Sequence, residues 1–236
     1  MKQNDFVFAD RMKSFNRSLH FTAKLPHHLN VLNPFRENKL ALPFSDAFYN
    51  KYYNDDNKRW GIFGINPGRF GGGLTGVPFT DFKRLRDVCG IDTQGNTSHE
   101  PSSEFIYKMI AAMGGADVFY KQFYINSVCP LGFVVDKGNG KWINYNYYDD
   151  KELFAAAKPF IVKTLKKQIA LGLYTGECFC LGKKNHEYFT IINDEYHFFG
   201  NIIQLPHPRY IIQYKRKEMD LFIDEYVQKL SNENHY

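Results

Sequence analysis

Asn66 is a carboxamide set between an apolar run, Trp60 to Ile65, and a stretch that no regular element accommodates. That stretch reads Pro67-Gly68-Arg69-Phe70-Gly71 and leads into Thr75-Gly76-Val77-Pro78-Phe79. With the run as a strand, the carboxamide stands at its carboxyl end, where open α/β sheets do chemistry. The glycines let backbone come close to a ligand. Phe70 and Phe79 offer flat faces on which a nucleic-acid base stacks. Asn-Pro-Gly is also a sound turn, and both Phe also suit a core.

Polar residues recur at the ends of three further apolar runs. Asn126-Ser127 ends the run Gln122 to Val128, Gly182-Lys183-Lys184-Asn185 follows Glu177 to Leu181, and His207-Pro208-Arg209 follows Asn201 to Leu205. Taken singly, Asn126 reads equally as a backbone partner at a strand end, and His207 as a ring held by a carbonyl. Taken together, all four groups fall at carboxyl ends and converge on one cleft.

Helical patterns alternate with these runs. Ser102 or Ser103 caps a helix running to Met113 and ended by Gly114-Gly115. Asp149 with Glu152 reads as an acidic capping box for a helix from Lys151 to Leu171, whose apolar face is Phe154, Ala157, Ile161, Leu165 and Ile169. Pro159 predicts a kink there, or a junction of two shorter helices. Further helices are expected over Lys184 to Ile192 and Arg216 to Leu230, the last with Met219, Phe222, Ile223 and Tyr226 on one face. Strands alternating with helices predict an α/β fold, a three-layer α/β/α sandwich around a central, mainly parallel four-stranded sheet. The whole chain, 1–236, reads as one domain. Residues 1–57 form a helical prelude anchored by Phe15, Leu19, Phe21 and Leu25, and 231–236 a frayed tail.

Composition narrows the class. The net charge of +5 is a mild basic excess, compatible with a phosphate backbone partner. Basic residues cluster at Lys83-Arg84 with Arg86, at Lys183-Lys184 and at Lys215-Arg216-Lys217, and a solvated helix face accounts for each equally well. Cys89, Cys129, Cys178 and Cys180 show no metal-ligand spacing, so buried free thiols in a reducing compartment are expected. Met1 to Asp10 is polar and lacks a signal core, and no stretch of about 18 apolar residues exists. These features point to a cytoplasmic protein with no metal.

The joint pattern resembles the uracil-DNA glycosylase superfamily, in particular its single-strand-selective monofunctional (SMUG-type) branch and the bacterial members of it. That branch carries Gly-Met-Asn-Pro-Gly-Pro-Phe-Gly running into Thr-Gly-Val-Pro-Phe. Here Gly64-Ile65-Asn66-Pro67-Gly68-Arg69-Phe70-Gly71 runs into Thr75 to Phe79. Its Asn followed shortly by Cys-Pro-Leu is matched by Asn126 with Cys129-Pro130-Leu131, and its His-Pro-Ser-Pro-Arg-Asn by His207-Pro208-Arg209-Tyr210. The resemblance implies excision of uracil, and of relatives such as 5-hydroxymethyluracil or xanthine, from single- or double-stranded DNA by a nucleoid-associated monomer without cofactor. It implies that Asn66 positions the attacking water, His207 donates to the departing base, Phe79 stacks on that base and Asn126 pairs with its edge. Gly68 and the backbone at Ile65 would line the pocket. Lys183, Lys184 and Arg209 would neutralise phosphates at the rim. Two departures stand out. The His207 loop is about two residues short of the family pattern, with Arg209 or Tyr210 left to fill the wedge, and Arg69 replaces a proline, where it meets a phosphate or narrows the pocket.

Two other readings compete. One is a damage-binding protein that flips a base without cutting it. The other is a nucleotide-binding or phosphotransfer enzyme using Gly71-Gly72-Gly73, although no Gly-Lys-Ser/Thr ending follows.

Overall fold

Four short runs form parallel strands, three of them buried along nearly their whole length and the fourth, Asn201–Leu205, more open at the sheet edge. In the computed structural model, which describes residues 6–138 and 140–231, the elements begin with α1 (Phe8–Ser18), β1 (Leu29–Leu32), α2 (Pro34–Glu37) and α3 (Ala41–Tyr52). Then come β2 (Trp60–Gly64), α4 (Gly72–Thr75), α5 (Phe82–Asp87), α6 (Pro101–Ala112), α7 (Ala116–Gln122) and β3 (Phe123–Ser127). β4 (Gly132–Asp136), β5 (Trp142–Tyr145), α8 (Lys151–Ile169), β6 (Glu177–Leu181) and α9 (Lys183–Tyr196) follow. β7 (Asn201–Leu205), α10 (Pro208–Tyr214), a 3-10 turn at Arg216–Glu218 and α11 (Met219–Leu230) complete the described chain.

The expected central sheet is present, with order β3-β2-β6-β7 and every pairing parallel. Phe63 and Phe179 are fully buried in its middle, and Phe63 meets Phe189 and Phe199 from the α9 side. All four cysteines are buried and free. No described helix is long and apolar enough to cross a membrane.

A second sheet was not anticipated. β1, β4 and β5 form an antiparallel three-stranded sheet, with Leu29 to Leu32 paired to Val135 to Gly132 and Phe133 to Asp136 paired to Tyr145 to Trp142. The N-terminal segment, expected to be helical, therefore also holds a strand. Phe15 and Leu19 are buried in the core, and Phe21 and Leu25 pack against it.

Local capping differs from expectation at two helices. Glu100 precedes α6, with Pro101 at the first helical position where a missing N–H costs nothing. Ser103 lies inside that helix, and its hydroxyl donates to Asp81 Oδ2 at 2.8 Å. Asp150, not Asp149, caps α8 by accepting from the Leu153 N–H, while Asp149 accepts from Asn146 N–H. Pro159 sits within α8 without dividing it. Pro159 and Ala155, whose carbonyl the proline cannot serve, are both exposed, so the lost helix bond lies on the solvent side. α9 runs four residues past the expected Ile192, to Tyr196. Ser231 is the last described residue, and the rest of the expected frayed tail lies outside the described part.

Candidate functional site

The carboxyl ends of β2, β6 and β7 open onto a cleft of about 370 Å³. Its walls include Ile65, Asn66, Gly68, Phe79, Lys183, Lys184, His207, Arg209 and Tyr210, nine of the eleven residues singled out from the sequence.

Asn66 is held at both ends of its amide. Nδ2 donates to the Tyr145 carbonyl at 3.2 Å, and Oδ1 accepts from the Tyr147 N–H at 3.1 Å. Both partners belong to the end of β5 and the turn after it. The loop beyond Asn66 is pinned to the same sheet, since the Arg69 N–H donates to Asn144 Oδ1 at 3.1 Å. One Oδ1 lone pair and one Nδ2 hydrogen of Asn66 remain for a ligand or water.

His207 is held by its own helix. It caps α10, and its Nδ1 accepts from the Arg209 N–H at 3.0 Å. An accepting Nδ1 leaves the proton of the neutral ring on Nε2. Burial, helped by the nearby Arg209 guanidinium, lowers the His207 pKa to about 4, so the neutral donor persists through neutral pH. Gly182 makes this packing possible: its φ is +98°, and a Cβ there would lie 3.2 Å from the His207 Cβ.

Phe79 adopts φ +53°, a conformation that a bulky side chain holds only when its surroundings impose it. Its ring lies on Gly64, where a Cβ would come within 2.5 Å of the Phe79 Cζ. The ring stands 6.3 Å from that of His207 at 52°. Thr75 braces the turn by donating to the Thr80 carbonyl at 2.7 Å and accepting from the Val77 N–H at 3.1 Å.

Two of the eleven residues lie outside the cleft. Asn126 is buried, its Nδ2 donating to the Tyr124 hydroxyl and its Oδ1 accepting from the Ser127 N–H. Tyr124 in turn donates to Gln168 Oε1 at 3.0 Å. Successive even positions of β3 share one face, which turns Asn126 with Tyr124 toward α1 and α8. The Arg69 guanidinium lies 5.1 Å above the Phe70 ring, and its buried Nε has no partner among the described residues. Phe70 itself is exposed.

At the rim, the Lys184 ammonium lies 4.9 Å above the Tyr148 ring and 3.8 Å from Asp149 Oδ1. Arg209 and Tyr210 are exposed, and the Tyr210 ring tilts against the Tyr214 ring at 5.8 Å. Part of the backbone at the glycine run is spent within its own turn. The N–H groups of Gly73, Leu74, Thr75 and Gly76 are all spent on carbonyls of Gly68, Gly71 and Gly72.

Sequence reasoning missed Glu100, Asn144, Asn146, Tyr148, Gln213 and Tyr214, which also line the cleft. One signal for the β5 residues was present. Gly138-Asn139-Gly140 between Phe133-Val134-Val135 and Trp142-Ile143 is a hairpin signature. Nothing comparable marks Glu100. Its carboxyl sits against Gly68 and Gly71, and burial with the neighbouring Asp81 carboxylate raises its pKa to about 7.

The family model for the uracil DNA glycosylase superfamily matches residues 50–231. The chain belongs to the uracil DNA glycosylase superfamily. The crystal structure of wild-type SMUG2 from Pedobacter heparinus superposes with a TM-score of 0.95 at 49% sequence identity, covering 98% of this chain and 100% of that one. The fold and the SMUG-type assignment of this glycosylase-family chain follow from those two matches. No curated protein sequence gives a significant match.

Proposed function

We propose that this protein is a monofunctional DNA glycosylase of base excision repair, which flips uracil out of DNA into the cleft and hydrolyses its N-glycosidic bond. The observation that carries the reading is the Asn66 amide, fixed by Tyr145 and Tyr147 in the same cleft as the His207 ring. A base stacked in DNA is out of reach of both, so the nucleotide must rotate out, at a cost of a few kcal/mol.

As the bond from C1′ to the base breaks, its electron pair passes to the base and positive charge builds on the sugar. The His207 Nε2–H donates to the carbonyl oxygen where the negative charge gathers, a role like that of an oxyanion donor. Asn66 holds the water that adds to C1′. It has no basic group, so it acts by placement, and the water's proton leaves to solvent. Phe79 stacks on the base, with Gly68 and Ile65 forming the wall beside it.

Asn126 pairs with the edge of the base once its amide turns away from Tyr124 and Ser127. An amide that both donates and accepts separates uracil from cytosine, because the wrong edge leaves buried groups unpaired. Lys183, Lys184, Arg209, Tyr210 and Arg69 bind the DNA strand of a monomeric enzyme. 5-Hydroxymethyluracil and deaminated purines are further substrates.

The test is incubation with uracil-containing single- and double-stranded oligonucleotides, read with and without alkali. Free uracil and strand breaks that appear only after alkali support the reading. Breaks without alkali would overturn its monofunctional part. Tight binding with no base released from any substrate would leave the damage-binding protein instead.

A further inference from the structure

Glu100 is the one carboxyl among the described residues that line the cleft. Its backbone is fixed from below, the Glu100 N–H donating to Asp81 Oδ2 at 2.8 Å. Asp81 is fully buried and also accepts from the Ser103 hydroxyl, the Arg84 N–H and the Arg84 guanidinium. The side chain is thereby aimed at the loop after Asn66. Gly71 makes room for it, since a Cβ there would lie 2.1 Å from Oε2. Oε1 reaches 3.6 Å from the Cβ position of Gly68, next to Asn144 Nδ2 at 3.2 Å from the same point. Oε2 is sealed from solvent and has no hydrogen-bond partner among the described residues.

The charges around this carboxyl oppose one another, and the exposed His99 ring before it lies 3.8 Å from Asp81 Oδ2. The Asp81 carboxylate raises its pKa, Arg209 from α10 and Arg84 from α5 lower it, and His207 across the cleft is neutral. Arg69 lies on the same loop and makes no ion pair with it. Burial outweighs the two cations, and a proton is retained up to about pH 7.

Resting on the glycosylase reading above, in which the family resemblance sets Gly68 beside C5 of the flipped base, the Gly68 wall would face the C5 and C6 edge of a pyrimidine. In a purine bonded to the sugar through N9, the corresponding edge is N7 and C8. N7 accepts a hydrogen bond, whereas C5–H offers no acceptor.

We propose that Glu100 is a specificity-determining residue: its carboxyl hydroxyl donates to N7 of a deaminated purine held against Gly68 and finds no acceptor at the C5–H position that uracil presents there. As the bond to N9 breaks and its electron pair enters the purine ring, the hydrogen bond to N7 strengthens. The proton stays on Glu100, so no further acid or base is required.

The experiment is single-turnover release of hypoxanthine and of uracil from otherwise identical oligonucleotides, by wild type, Glu100→Ala and Glu100→Gln, at several pH values around 7. Thermal unfolding checks that each variant is folded. The ratio of hypoxanthine to uracil release should fall on the order of 100-fold in Glu100→Ala, as for loss of one donor at developing charge. Glu100→Gln keeps an N–H donor and should recover most of that ratio. The wild-type ratio should decline as pH rises past about 7, while that of Glu100→Gln stays level. Equal losses on both bases, an unchanged ratio, or uracil release without hypoxanthine release in the wild type would each overturn the proposal. Release of neither base by wild type would overturn the glycosylase reading itself, a separate failure that the uracil arm identifies.

Discussion

Asn66 and His207 line the same cleft and are held in opposite ways. The partners of Asn66 lie 79 and 81 residues along the chain, at the end of β5 in a different sheet and in the turn after it. The partner of His207 lies two residues away, inside the turn that starts α10. The first clamp exists only once β1, β4 and β5 have paired and closed a long loop, which costs entropy that grows with loop length. The second forms with its own helix. The group that would place water thus depends on the antiparallel sheet, and the group that would stabilise the departing base does not.

The comparison breaks most visibly at the local end. His207→Ala should lower uracil release by about 100-fold or more in single-turnover assays, as for loss of one oxyanion-type donor, and should cost about 1 kcal/mol of stability through loss of the α10 cap. Gly182→Ala attacks the same ring indirectly. A side chain at φ +98° costs on the order of 1–3 kcal/mol, and this one also presses on the His207 Cβ. Release should drop roughly tenfold and thermal stability should fall, by calorimetry.

At the remote end, Asn144→Ala removes the acceptor for the Arg69 N–H and loosens the loop that carries Asn66. A neutral hydrogen bond is worth about 1 kcal/mol, so a loss of roughly fivefold in the rate of release is expected, with DNA affinity nearly unchanged. Lys184→Ala at the rim should leave the rate of release alone. It should weaken DNA binding and reduce the slope of log affinity against log salt by about one.

The pH dependence separates the groups further. With its pKa lowered to about 4, His207 should impose no step on uracil release near the ordinary histidine value of 6.5. Its effect on stability has a definite sign. The unfolded chain binds the proton that the native ring refuses, so stability contributed by the neutral ring is lost as pH falls from about 6.5 to 4. Glu100 behaves oppositely. The native carboxyl keeps a proton that the unfolded chain releases, so its contribution is lost as pH rises from 4.5 to about 7. Glu100→Gln should therefore gain stability over wild type more at alkaline pH than at acid pH, by thermal melts across that range.

The two regions also differ in how far they could be read from residues alone. The parallel sheet was legible because Trp60 to Gly64, Phe123 to Ser127 and Glu177 to Leu181 are short, apolar and bounded by polar loops. Its carboxyl ends then located Asn66, Lys183 and His207 in one cleft. The antiparallel sheet was legible only at the turn between β4 and β5, through Gly138-Asn139-Gly140. β1 and β5 are four residues each, and the burial of β5 is only partial along its length, so neither shows a strong period. Their pairing is also non-local, with β1 more than ninety residues before β4. Without β5, neither the clamp on Asn66 nor the neighbours Asn144 and Tyr148 could be foreseen. Asn126 illustrates a finer gap. The alternation along β3 was readable, but not that a Tyr124 hydroxyl stood ready to hold its amide. Glu100 was silent because an isolated glutamate before a proline reads as a helix start and nothing more.

The most direct test of the account is the rate of uracil release by Asn66→Ala beside wild type, with DNA binding measured on the same oligonucleotide. Loss of a well-placed water should cost at least about 100-fold in rate while affinity changes by no more than about threefold. A rate within about fivefold of wild type would mean that the amide clamped by Tyr145 and Tyr147 does not place the water, and the central role assigned to Asn66 would fall.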